Sequence, residues 1–81
     1  MKPPTSESVR VLRWVFRRHE AAITCEIDAV SDHVFDVCIV PHWDVSASTV
    51  ERFDAAHRAF ERHAEVAQRL RESGWVRGKA A

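Results

Sequence analysis

The sequence predicts an α+β domain in which a three-stranded antiparallel meander packs on one long C-terminal helix, a β-β-β-α two-layer sandwich. Three observations carry this. Between Val9 and Val40, three segments alternate apolar and polar residues with the two-residue period of half-buried strands. From Ser48 to Ser73 the apolar residues instead recur at three- and four-residue steps, with no Gly or Pro between them. The chain has 81 residues, enough for a single modest core and too few for two.

Residues 1–8, with Pro3-Pro4 and a run of Thr and Ser, read as a flexible leader. Val9–Arg18 is the first strand, with Leu12, Trp14 and Phe16 on one side and Val11, Arg13, Val15 and Arg17 on the other. The rival reading is a helix over Val9–Glu20 capped by Thr5 or Ser6; the wealth of β-branched and aromatic residues favours the strand. Ala22–Ala29 sets Ile23, Cys25 and Ile27 against Thr24, Glu26 and Asp28. Val34–Val40 sets Phe35, Val37 and Ile39 against Val34, Asp36, Cys38 and Val40. The connections Arg18–Ala21 and Val30–His33 contain no Gly, which favours loops of three to five residues over tight primed turns. Pro41 ends the third strand because it has no amide proton for the ladder. Pairing Phe16 with Ile23 brings Trp14 opposite Cys25 and Leu12 opposite Ile27. It also sets Arg13 against Glu26 on the other face, a favourable cross-strand pair.

The helix is expected from about Thr49 to Ser73. Ser48 and Glu51 have the spacing of a capping box, and Val50, Phe53, Ala56, Phe60, Ala64, Ala67 and Leu70 form its apolar stripe. Gly74 suits the left-handed residue after the helix, and Trp75 can then pack back on Leu70. The domain spans 9–75, and residues 76–81 read as a flexible tail.

Lys and Arg total 12 against 12 Asp and Glu, so the long-range field of a general polyanion binder is missing. The first ten residues lack the apolar run of a signal peptide, and no stretch is long enough to span a bilayer. Two cysteines fit a reduced, cytoplasmic protein. The abundance of Arg and Ala is of a bacterial kind. With Gly74 and Gly78 the only glycines, there is no phosphate-binding loop.

Several residues invite a chemical reading. His57 and Glu61 lie four apart on the helix and Asp54 and His57 three apart, spacings that metal ligands use, with His42 and Asp44 nearby in the loop. No Cys pair or H-E-x-x-H accompanies them, so His57 and His63 are expected as half-buried residues flanking the stripe, with no metal or cofactor. Cys38 is expected on the open face among Glu26, Asp36 and Thr24, acids that raise a thiol's pKa, while Cys25 belongs to the core on the opposite face. Both read as structural, no catalytic residue is assigned, and the protein is expected not to be an enzyme.

Two binding readings remain. With the helix on one side, Val11, Arg13, Val15, Arg17, Val34, Cys38 and Val40 make an open face, the candidate surface for a homodimer or another protein. The alternative is a nucleic-acid-binding module. It would use Arg10, Arg13, Arg17 and Arg18 of the first strand with Arg52, Arg58, Arg62, Arg69 and Arg71, although Asp54–Arg58 and Glu65–Arg69 are ordinary helix pairs.

Overall fold

Phe16 and Ile23 face each other across the first hairpin, and from that pair the sheet is built outward in both directions. The computed structural model describes residues 8–78. Its strands are β1 (Val9–Arg18), β2 (Ala21–Ser31), β3 (Val34–Pro41), β4 (Thr49–Phe53) and β5 (Val76–Arg77). One helix, α1 (Ala56–Glu72), lies between β4 and β5, and a single 3₁₀ turn occupies Val45–Ala47. The sheet is antiparallel with strand order β4-β3-β2-β1-β5. This is a small single α+β domain, as the alternation implies, but with five strands rather than three.

The β1–β2 register is the one expected: Leu12 opposite Ile27, Arg13 opposite Glu26, Trp14 opposite Cys25. One irregularity interrupts it, at Val11 in β1, and a second, at Val30 in β2, interrupts the β2–β3 pairing. Extra residues of this kind raise the local twist and blunt an edge against pairing with other chains. The connections are tighter than the missing glycines suggest. Arg18 pairs with Ala21 and Ser31 with Val34, leaving two-residue turns at His19-Glu20 and Asp32-His33. His19 takes the left-handed φ of 54° itself, so the first turn needs no glycine.

The helix begins later than its apolar stripe predicts. Ser48–Phe53 is not its first turn: Thr49–Phe53 is an edge strand on β3, with Phe53 opposite Phe35, Arg52 opposite Asp36 and Val50 opposite Cys38. The capping box does not form. Ser48 donates its hydroxyl to the Val45 carbonyl, Glu51 accepts from Arg62, and Ala55 stands at the helix N-terminus without a side-chain cap. Removing those six residues also changes the phase of the buried stripe, which is Ala59, His63, Val66 and Ala67. Phe60 and Ala64 face solvent, His63 is 2 % exposed, and His57 is exposed rather than half-buried. The core under α1 is Phe16, Cys25, Ile27 and Val37, flanked by Leu12, Trp14, Phe35, Ile39 and Phe53. Ala59 and Ala67 carry no more than a methyl group, which lets the helix approach the sheet closely.

The helix ends as its sequence dictates. Gly74 has φ +93°, its amide donates to the Arg71 carbonyl at 3.0 Å, and the Trp75 amide donates to Leu70 at 2.9 Å. These are the two bonds of a Schellman motif. The turn sends the chain back along β1, where Val76 pairs with Arg17 and Arg77 with Phe16, and Gly78 donates to the Val15 carbonyl at 2.7 Å. Val76 and Arg77, read from the sequence as tail, therefore belong to the sheet, and Gly78 is hydrogen-bonded to its neighbour strand; the proposed leader lies outside the described residues except for Ser8.

Candidate interaction surface

The face of the sheet turned away from α1 is a grid set by strand register. One row runs Arg10, Asp28, Asp36, Arg52 across β1 to β4; the next runs Arg13, Glu26, Cys38, Val50; the third is Val15, Thr24, Val40; the fourth is Arg17 and Ala22. Carboxylates thus occupy the two middle strands and arginines the flanking ones. Arg52 grips Asp36 with two bonds of 2.8 and 3.0 Å. This hydrogen bonding, against the opposing effect of burial, holds the Asp36 carboxyl below the usual range. Arg10 and Arg13 approach the same oxygen of Glu26, at 3.7 and 3.8 Å. Burial nevertheless pushes the Glu26 carboxyl up, helped by hydrogen bonding to Asp28 and by its charge. Asp28 Oδ1 is enclosed without a hydrogen-bond partner, and a proton on Glu26 would supply one.

Cys38 sits within this acidic group, its Sγ 3.9 Å from Asp28 Oδ2. Burial first, and then the charges of Asp28, Glu26 and Asp36, push its thiol up to about 11. Burial alone dominates at Cys25, held up at about 12. The two are free thiols on opposite faces, both protonated at neutral pH and poor nucleophiles.

The predicted face is only partly contiguous. Val15 and Val40 stand either side of Thr24, which they and His42 cover to 4 % exposure, with the Thr24 hydroxyl 2.6 Å from His42 Nε2. Cys38 and Val50 continue this patch, and Val50 is largely exposed. Arg13 joins Glu26, and Arg17 lies at the end beside β5. Val11 sits at the β1 irregularity and Val34 by the second hairpin, where it lines a shallow cleft with Arg52, Phe53 and Arg58. The acid rows separate Val34 from Val15 and Val40. Val50 and Arg52 were missed in the sequence because they read as helix. Alternation of Val50 and Arg52 against Glu51 and Phe53 was the available signal.

Elsewhere, His57 and Glu61 line an open groove with Phe53, Arg58, Arg62 and Glu65. Asp54 pairs loosely with Arg58 at 4.0 Å. Among the described residues, no three His, Cys, Asp or Glu side chains converge as metal ligands do, and no helix is long and apolar enough to cross a membrane. An apolar hollow lies at the other end. Trp43 and Trp75, stacked with centroids 6.1 Å apart and planes at 20°, line a cleft of about 500 Å³ with Arg18, His19, Glu20 and Ala21. In comparisons with protein-family models, curated proteins and solved structures, nothing matches the chain.

Proposed function

We propose that the protein is a small, non-enzymatic interaction module that self-associates through the open face of its sheet as a two-fold dimer. The observation that supports this best is the charge pattern of the face. Glu26, Asp28 and Asp36 stand on β2 and β3, with Arg10, Arg13 and Arg17 on β1 and Arg52 on β4. Such a surface is complementary to a second copy set over by one strand, so that the arginine strand of each lies against an acid strand of the other. A two-fold axis between the sheets, parallel to the strands and midway between β1 and β2, lays β1 of each copy over β2 of the other, with Arg10 over Asp28 and Arg13 over Glu26. The same operation sets Val15 of each copy over the partner's Thr24, beside Val40. The protonated state of both thiols favours a binding role over nucleophilic chemistry.

Burying a valine stabilises by about 1.5 kcal/mol or more, and the symmetry repeats each contact. Strand spacings of ~4.8 Å and residue rises of ~3.3 Å give the face a plan area of roughly 300 Å². That places the dimer at the small end of specific interfaces, with an expected affinity of about micromolar or weaker. Sedimentation equilibrium from micromolar to near-millimolar protein is the test. A monomer–dimer equilibrium that Val15→Lys or Val40→Lys weakens, with circular dichroism unchanged, supports the reading. A monomer across the whole range overturns it.

A further inference from the structure

The ten arginines divide by position. Arg10, Arg13, Arg52, Arg58 and Arg62 each lie within 4.0 Å of a carboxylate. Arg17, Arg18, Arg69, Arg71 and Arg77 form no such pair among the described residues. These five all stand at the end of the molecule where β1 and α1 finish and β5 begins. Arg69 and Arg71, in the last turn of the helix, compensate the negative end of its dipole. That role leaves three cations and the aromatic residues beside them unexplained. Arg18 donates from Nη1 to the Ser73 carbonyl at 2.7 Å and lies 5.6 Å from the Trp75 ring centre; Arg77 lies 3.9 Å from that of Trp14. Trp43, stacked on Trp75, is 62 % exposed, a large apolar surface that no other described residue covers. The acids nearby are Glu20, Asp44 and Glu72. Asp44 accepts from Ser46 and Glu72 from Gln68, bonds that turn both carboxylates toward their own chain neighbours but leave their charge, while Glu20 lines the rim of the Trp43–Trp75 cleft.

We propose that this end binds single-stranded nucleic acid, a base stacking on the Trp43–Trp75 platform while neighbouring phosphates reach Arg18 and Arg77. An exposed indole face beside unpaired guanidinium groups is the combination that sequence-tolerant single-strand binding uses. A neutral sugar would leave the cations unused, and a bare anion would leave the platform unused. The site is separate from the Val15–Val40 patch on the open sheet face, so it stands or falls independently of self-association. The zero net charge of the chain confines the attraction to this end and makes the footprint short. With two or three phosphates neutralised, affinity should fall about tenfold between 50 and 200 mM salt.

The test titrates the full chain with single-stranded oligothymidylate and oligouridylate 12-mers at low salt, following tryptophan fluorescence. Saturable quenching is expected, weakened about tenfold over that salt range. Trp43→Ala should weaken it at least about fivefold and Trp43→Phe restore part of the loss. Trp43 is on the surface, so both variants should keep the parent's thermal midpoint. No quenching up to millimolar oligonucleotide overturns the proposal. So does wild-type affinity in Trp43→Ala, or inorganic tripolyphosphate binding as tightly as the oligonucleotide, which would reduce the site to charge alone.

Discussion

His63 Nε2 lies 3.1 Å from the carbonyl oxygen of Cys25, tying the middle of α1 to the central strand of the sheet. A carbonyl can only accept, so the bond requires a proton on Nε2. The imidazole is enclosed, meeting Trp14 edge to face at a centroid distance of 5.0 Å. Burial favours the neutral ring most strongly; the Cys25 bond works the other way, and the nearby Arg77 charge works with burial. The pKa of His63 in the folded protein is therefore below the ordinary histidine value.

Stability should consequently fall on mild acidification. Below about pH 6.5 the unfolded chain protonates this histidine while the folded protein does not. The unfolded state binds more protons, so the contribution of neutral His63 is present above that pH. It is lost progressively as pH falls to the lowered folded-state value. Glu26 acts in the opposite sense, because its raised carboxyl takes up a proton more readily when folded, and the His63 variant separates the two contributions. Urea midpoints at pH 7.5 and pH 5.5 should differ, the acid one being lower, and His63→Gln should flatten the difference. Equal midpoints in the parent protein would mean that His63 is not held neutral.

Gly74 makes a second prediction. Its φ of +93° strains any L side chain, although the added Cβ would meet only the Arg18 side chain at 3.5 Å, an ordinary contact. Gly74→Ala should destabilise by roughly 1 kcal/mol through backbone conformation alone. Because the Schellman turn directs Val76 onto Arg17, the same change should speed amide exchange of β5 and Gly78 more than that of β2. An unchanged urea midpoint would exclude strain at this cap.

The first hairpin was legible because its information is local and redundant. Alternation, the Arg13–Glu26 pair and the β-branched content all specify one register. β4 was not, since Ser48 and Glu51 match a capping box and Val50, Phe53 and Ala56 continue a helical spacing. What decides for the strand is non-local: Phe53 beside Phe35, and Arg52 bonded to Asp36, 16 residues away. The misplaced helix start also hid His63, which lies four residues from both Ala59 and Ala67 and shares their buried face. On the candidate surface, the alternation placed Val15, Cys38 and Val40 correctly. It could not show that Arg10 and Arg13 converge on Glu26, because the irregularity at Val11 turns Arg10 to that side. The Trp43–Trp75 stack was out of reach for the same reason as β4, since loop and helix end meet only in three dimensions.

The Arg52–Asp36 pair adds a side-chain tie to the backbone ladder of the edge strand, and it yields the last prediction. Asp36 is kept ionised chiefly by the two hydrogen bonds from Arg52; its partial burial alone would raise the carboxyl. Arg52→Gln should therefore move the Asp36 titration midpoint upward, to the ordinary carboxylate value or beyond, as read by carboxyl chemical shifts against pH. In the parent, the depressed carboxyl supports the fold above its unfolded-state pKa, and that support is lost as pH falls through the folded-state value. The variant should lose this acid-side dependence and show faster amide exchange in Val50 and Arg52's position, while β1 and β2 exchange as before. Glu51, bonded to Arg62 at 2.7 Å, still ties the strand to the helix, so the sheet should persist. An Asp36 midpoint that does not move would show that the guanidinium fork contributes nothing to the charge state of the face.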